Sequence, residues 1–194
     1  KTPKIKINAK KMIIETIICT KNNQGNVNFA PFGIKKNKNY ILISPYIPST
    51  TLNNLRATGN ASINYTDDAT FFVNCLLGKK NFQKKKCSKI NSYFLKDALA
   101  HDEVVVESVK ENKVRPIFKC KIINQEEHKR FEGFNRARNS LIEACILASR
   151  VKILKKKQIL KELEGLKNSV EKTAGIKERK SWNLISKFIL NETR

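Results

Sequence analysis

Between Ile13 and Gly78 the chain sets hydroxyls, amides, glycines and prolines at the ends of apolar, β-rich runs, without acid–base or nucleophile apparatus beside them. The stretch reads IIETIICTKNNQGNVNFAPFGI, then YILISPYIPSTTLNNLRATGNASINYTDD, then FFVNCLLG. Two pieces of it can hold a ligand. Ser49, Thr50 and Thr51 open a short predicted helix and are followed by Asn53, Asn54 and Arg56. Free N–H groups and the positive end of the helix dipole favour an anion there, and the hydroxyls add donors. The same residues also make an ordinary helix cap. The second piece, Asn28 to Gly33 (NFAPFG), is a strand broken by Pro31 and Gly33, so its backbone N–H and C=O groups are open to the edge of a planar ligand. Phe32 could flank a ring, and an edge strand with an aromatic plug is the competing reading. This layout suits a planar, phosphorylated cofactor, and it does not suit a hydrolase.

Elsewhere the chemistry is sparse. Neither a GxxxxGK[ST] loop nor GxGxxG is present, which leaves P-loop and Rossmann nucleotide binding without their motifs. Glu15 reads as an inward carboxylate or a solvent-facing one. Cys19 and Cys75 have no histidine partner in sequence, which argues against a thiolate nucleophile. His101 followed by Asp102 is either a dyad or, on the local pattern, a pair of solvated loop residues. The five cysteines form no CxxC pair, and neither His101 nor His128 stands at metal-ligand spacing from a cysteine or carboxylate, so no metal site is expected. Lys84–Lys86 reads as a mobile solvated loop. Glu126–Glu127–His128, with Arg136, Arg138 and Arg150, reads as salt-bridged helix faces.

Composition bounds these readings. The 194 residues suffice for one domain, or one domain and a small appendage, and 40% are apolar, enough for a packed core. Thirty-nine Lys+Arg against 17 Asp+Glu give a net charge of +22, which raises the case for a polyanionic partner. The lysines are spread along the chain, however, and few aromatics are interleaved with them. Solvation therefore ranks above nucleic-acid binding, and a non-enzymatic nucleic-acid-binding module stays as the alternative function. An odd cysteine count without a framework points to a reducing cytoplasm. Met12–Cys19 is too short, and too interrupted by Glu15, for a signal peptide, and no apolar run approaches the ~20 residues that span a bilayer. A soluble cytoplasmic protein is expected.

The elements that must position these groups follow from pattern. Met12–Thr20 predicts a strand, Lys21–Asn26 a turn with Gly25 at positive φ, and Val27–Ile34 an irregular strand. Lys35–Asn39 is a turn and Tyr40–Ser44 a short strand. Ser49–Thr58 predicts a helix capped by Ser49 or Thr50 and stopped at Gly59. Ala61–Tyr65 is a strand, and Ala69–Leu77 suits strand or helix equally. A basic excursion over Asn81–Ser92 precedes paired strands at Val104–Lys110 and Val114–Asn124. Residues 1–124 thus read as a small β-barrel with helical decoration. Residues 125–194 read as a helical domain, with helices in Arg136–Leu154, from Ile159 to near Gly175, and over Glu178–Leu190. The last turns Trp182, Ile185, Phe188 and Ile189 inward. Three such helices are marginal alone, so they pack on the barrel or on a partner subunit.

In order and spacing, ETIICT, GNVNFAPFGI and PSTTLNNLRATGNASINYTDD, then FNRARNSLIEACILASR and KTAGIKERKSWNLI, resemble an archaeal and methylotroph family of uncharacterised proteins. That family is built on the FMN-binding split barrel, a fold shared with flavin reductases and pyridoxamine-phosphate oxidases. The resemblance runs from Ile13 to Ile185 and is weakest between Lys79 and Val114. It implies a mainly β fold with α, an FMN-binding split β-barrel followed by a small C-terminal helical bundle. It also implies a homodimer with FMN at the subunit interface. The function it implies is a flavin-reductase-like oxidoreductase of unspecified substrate, fed by a reduced nicotinamide or deazaflavin donor. Carried over by motif, T-x-x-N-L falls on Thr51, Asn54 and Leu55. Thr50 and Thr51 would then contact the phosphate, and Asn54 the phosphate or ribityl chain. A-P-x-G-I falls on Ala30, Pro31, Gly33 and Ile34, which would approach the isoalloxazine edge through backbone groups. Phe32 stands among them where a smaller or unbranched apolar residue is expected. The resemblance also suggests Thr16 and Asn64 as contacts, although neither motif covers them. FMN brings its own redox chemistry, so such a protein needs no catalytic triad. The C-terminal helices would brace the dimer or cap the flavin cleft.

Overall fold

From Thr16 to Thr20 in β1 (Ile14–Lys21) both faces are buried. Ile18 points into a barrel, while Ile17 and Cys19 point out under a layer of helices. The structure, a computed structural model, describes residues 12–193. Residues 1–11 of the expected barrel domain and residue 194 of the helical one lie outside the described residues. The turn after β1 is made as its sequence requires. Gly25 takes φ 89°, and Asn22 Oδ1 accepts from the N–H groups of Gln24 (3.0 Å) and Asn26 (2.8 Å). β2 (Val27–Lys36) then pairs with β1 in unbroken register from Lys21↔Val27 to Ile14↔Ile34. Pro31 and Gly33 leave that ladder intact. The open side is the opposite edge, because β2 meets β3 (Tyr40–Ile43) only at Lys35↔Leu42 and Lys36↔Ile41.

Six strands close the barrel in the order β1-β2-β3-β8-β7-β4, with β4 at Asn60–Tyr65, β7 at Ala100–Lys110 and β8 at Ile117–Glu127. Ile18, Ile34, Ile41, Ile63, Val104 and Phe118 fill its interior. Leu52 and Leu55 of α1 (Thr50–Thr58) join that interior cluster. The caps of α1 are those the sequence predicts. Ser49 Oγ accepts from Leu52 N at 3.3 Å, and Gly59, at φ 65°, donates its N–H to Leu55 O at 3.0 Å.

Ala69–Leu77 resolves as a helix, α2 (Thr70–Leu76), whose start is fixed by Asp68 Oδ1 accepting from Thr70 N (3.0 Å) and Thr70 Oγ1 (2.7 Å). β5 (Lys84–Lys86) and β6 (Tyr93–Leu95) form a separate two-stranded sheet. The Lys84–Lys86 run is therefore a strand and not a mobile loop; its three side chains remain exposed. The C-terminal helices are α3 (Arg136–Ala148), α4 (Lys156–Thr173) and α5 (Ile176–Glu192). Leu141, Ile159, Trp182, Ile185 and Ile189 share one cluster with Ile17, Cys19 and Phe29, so the helices pack on the outside of the barrel. α3 stops six residues short of the predicted Leu154 and leaves Ile153 80% exposed. The expected division at 124/125 falls inside β8. Glu126 and Glu127 end that strand and lie on no helix face; Arg138 pairs instead with Asp67 and with Glu178 at 3.1 Å. Among the described residues no helix is long and apolar enough to cross a membrane.

Candidate functional site

At the start of α1 Ser49 Oγ takes the Leu52 N–H, which leaves those of Thr50 and Thr51, with the dipole, to face whatever lies ahead. Thr50 there is exposed, and Thr51 is 2% exposed. Thr51 Oγ1 accepts from Asn28 Nδ2 at 3.2 Å, and Asn28 Oδ1 in turn accepts from Lys80 Nζ at 3.1 Å. A cation, an amide and two hydroxyls thus gather around a helix N-terminus, a set of donors suited to a phosphate. Asn54 lies one turn on, buried, with Nδ2 donating to Thr20 Oγ1 at 3.0 Å. Its amide ties α1 to β1, a bond worth about 1 kcal/mol. Leu55 sits in the barrel core and anchors the helix from below.

From Asn28 the open edge of β2 runs past Ala30, Pro31 and Phe32 to Gly33, five residues or about 17 Å at strand rise. Pro31 and Gly33 are exposed, Ala30 and Phe32 half-buried, and Ile34 is wholly buried in the barrel core. Phe32 packs toward that same core. Thr16, also wholly buried, donates Oγ1–H to Phe32 O at 3.0 Å and so steadies the edge from behind. A Cβ on Gly33 would come 2.7 Å from Ile13 Cγ2 and 3.1 Å from Glu15 Oε1, so any side chain here must displace the exposed Ile13. Beside it lies a groove of about 300 Å³ lined by Gly33, Lys35, Leu42, Ser44, Arg115 and Ile117. Arg115 is held in place there. Its Nε and Nη2 donate to Ser44 O at 3.1 and 2.8 Å, and its guanidinium lies 4.3 Å from the Tyr46 ring centroid.

The structure joins Thr51 of α1 to Asn28 of β2, from which Ala30, Pro31, Phe32 and Gly33 follow along the strand, while Asn54 ties α1 to Thr20 and Thr16, Ile34 and Leu55 are buried. Asn64 is elsewhere. It faces outward from β4, where Nδ2 donates to Ile17 O (2.9 Å) and Oδ1 accepts from Leu95 N (2.7 Å), pinning β6 to the barrel. His101 and Asp102 are not loop residues, because β7 begins at Ala100. Nor do they form a dyad, since neighbours in a strand face opposite ways. His101 is buried on the outer face against Phe94, ring centroids 4.0 Å apart. Asp102 faces in and accepts from Tyr65 Oη (2.6 Å), Lys36 Nζ (2.6 Å) and Gln125 Nε2 (2.9 Å). Burial, with Asp102 beside it, pushes the Tyr65 phenol above its ordinary range. Burial likewise pushes the Cys19 thiol up to about 12 and Cys75 to about 11, which suits packing and not nucleophilic attack. Lys80 and Arg115 were invisible to local pattern, since both reach the site through tertiary contacts. Asn28 lies in the NFAPFG segment, yet nothing in sequence pairs it with Thr51.

Residues 14–129 match the family model "Protein of unknown function (DUF447) N-terminal domain", and residues 135–187 match "Protein of unknown function (DUF447)". No curated protein matches the sequence. Among solved structures, the FMN-bound protein MM1853 from Methanosarcina mazei, assigned to DUF447, is similar over 92% of this chain and 96% of its own, at 20% identity and TM-score 0.78. The 2-nitrobenzoate 2-nitroreductase NbaA of Pseudomonas fluorescens is similar over 62% of this chain and 67% of its own (15% identity, TM-score 0.53). A putative flavin reductase with a split barrel domain from Shewanella frigidimarina is similar over 64% and 74% (14% identity, TM-score 0.53). At these identities the likeness is one of fold. The fold mixes α and β, a six-stranded split barrel carrying a C-terminal helical bundle.

Proposed function

The chain belongs to the DUF447 family, and from that premise we propose that it is an FMN-binding flavoprotein of the flavin-reductase-like class. The phosphate lies at the start of α1 and the isoalloxazine along the open edge of β2. One observation carries this reading: the Lys80–Asn28–Thr51 relay at a helix N-terminus continues into an unpaired strand edge that ends at a cationic groove. The Methanosarcina mazei protein of the same family is FMN-bound, which supports the choice of ligand. Thr50 and Thr51 donate to the phosphate through their hydroxyls and N–H groups, and Lys80 balances its charge. Backbone groups of Ala30 to Gly33 address the ring edge, with Thr16 holding Phe32 O in position. Lys35 and Arg115 place positive charge by the groove, which favours an electron-rich ring. When bound, FMN supplies hydride and electron transfer; the donor is a reduced nicotinamide or deazaflavin.

The site is completed by a second copy of the chain. Ile13, Tyr46, Ile47, Val114 and Ile117 are exposed around the groove, and Ile47 N donates to Val114 O at 3.0 Å, which makes them one patch. Exposed apolar patches of this kind mark interaction surfaces. A homodimer that buries this one closes the flavin in at the subunit interface. The reading is tested by titrating cofactor-free protein with FMN and with riboflavin while following sedimentation. One FMN per subunit of a dimer, bound at least about tenfold more tightly than riboflavin, is expected from a charge-assisted phosphate site. Equal affinity for the two, or none for either, refutes it.

A further inference from the structure

We propose that His101, His128 and Glu126 form a binding site for one divalent transition-metal ion of the zinc type, on the outer face of β7 and β8. The three come together through strand pairing. His101 lies directly opposite Glu126 across the β7–β8 ladder, and His128, two residues past Glu126, continues on the same face. His101 Nδ1 is 2.8 Å from His128 Nε2, and the three ligand atoms all lie within 4.8 Å of one another. The Phe94 ring stacks on both imidazoles, at 4.0 and 4.8 Å, and the two imidazole planes differ by only 12°. The space between the two nitrogens therefore lies near both ring planes, where an imidazole-bound metal must sit.

The outer partners of the site are already built. His101 Nε2 is 3.4 Å from Glu103 Oε1. Glu103 Oε1 also accepts from Ser88 N (2.8 Å), Ser88 Oγ (2.9 Å) and Asn124 Nδ2 (3.0 Å), and Oε2 accepts from the N–H groups of Lys89 (2.8 Å) and Ile90 (2.9 Å). A carboxylate held by so many donors is itself only an acceptor. His101 accordingly carries its hydrogen on Nε2 and turns the Nδ1 lone pair toward His128, the orientation that a carboxylate–histidine–metal triad requires. Glu126 Oε1 accepts from Asn124 Nδ2 (2.7 Å) and shares the single Ser88 hydroxyl proton (2.9 Å) with Glu103. Cys87 also lies within 4.8 Å of His101 and Glu103, but it does not belong to the His101–Glu126–His128 group.

Two nitrogens and one carboxylate select borderline transition metals over calcium and magnesium, which take oxygen ligands. Ligands at 2.0–2.1 Å in tetrahedral array stand about 3.3 Å apart, so His128 must retreat by about 0.5 Å to admit the ion. His128 is exposed and free to do so. Three protein ligands leave a fourth position for water, and the Ser88 bonds make the same ion a clamp between the β5–β6 loop and the barrel. The competing occupant of the gap is a proton, which would make the contact a His128 Nε2–H···Nδ1 hydrogen bond.

The test uses the full chain without an affinity tag, stripped with chelator, then titrated with Co²⁺ and separately with Zn²⁺ and desalted. Expected are one retained ion per chain, a visible Co²⁺ band, and a higher unfolding temperature with metal than without. His128→Gln alters an exposed group, and Glu126→Gln keeps an oxygen for Ser88 and Asn124, so both should match the parent in chelator while losing the retained ion, with affinity down more than about 100-fold. Glu103→Gln should weaken binding by about 10- to 100-fold, as loss of an outer partner does. No retained ion in the parent would overturn the proposal in favour of the shared proton. Retention unchanged in both His128→Gln and Glu126→Gln would overturn the ligand assignment. Flavin content measured on the same samples is expected to stay constant, because the two sites share no residue.

Discussion

Replacing Thr51 with valine separates the phosphate role of this residue from its packing role. Valine keeps the shape of a side chain that is 2% exposed and removes only the hydroxyl. In the free protein the change breaks the Asn28 Nδ2–Thr51 Oγ1 bond of 3.2 Å, a loss of about 0.5–1.5 kcal/mol. The hydroxyl accepts from Asn28, so its own proton is left to donate. A hydrogen bond to a charged acceptor is worth about 1.5–3 kcal/mol, so the FMN dissociation constant should rise about 10- to 150-fold. Riboflavin has no phosphate, and its affinity should move by no more than about threefold. Quenching of flavin fluorescence at fixed ionic strength gives both constants, and thermal unfolding of the same variant gives the stability change. Unchanged FMN affinity would refute the assignment. A parallel loss for riboflavin would show that Thr51 acts only by shaping the fold.

Three further outcomes are expected. Gly33→Ala places a methyl against Ile13, which is exposed and can yield, and also on the groove side of β2; FMN affinity should fall about tenfold or more with little change in unfolding temperature, measured side by side. Leu141→Ala empties a fully buried position in the cluster shared by helices and barrel and should cost about 2–5 kcal/mol in one cooperative urea transition; two separate transitions would show that the helices fold apart from the barrel. Burial alone would raise the Glu103 carboxyl, but bonds from Asn124, Ser88 and Lys89 outweigh it and hold it at about 2 against an ordinary 4.5. A depressed carboxyl stabilises the fold above its unfolded value, so this contribution is full above pH 4.5 and is lost as pH falls toward about 2. Glu103→Gln should flatten that slope in acid unfolding curves, and an unaltered slope would assign it to other carboxylates.

Features written in neighbouring residues were legible in the sequence. The β1–β2 turn with its positive-φ Gly25, and α1 with its Ser49 and Gly59 caps, depend on chemistry within five residues. Ala69–Leu77 was ambiguous because Phe71, Phe72 and Val73 suit either period; Asp68 and the overlying helices make it a helix. The start of β7 was missed because His101 and Asp102 look like loop residues, and only pairing with both β4 and β8 extends the strand to Ala100. The same register produces the His101–Glu126–His128 cluster, which no spacing along one strand could announce. In the flavin site, Thr51 and Gly33 were legible as a helix start and a close approach. Lys80 and Arg115 were not, since each is brought in from another part of the chain. Asn64, one of the polar residues of β4, pairs with Ile17 and Leu95.

The central claim, that the open edge of β2 and the start of α1 hold FMN, is tested most directly by the visible absorption spectrum of the purified protein, with mass spectrometry of what heat releases. A flavin spectrum with FMN released at near one per subunit is the expected result. A colourless protein that also fails to take up added FMN would contradict it.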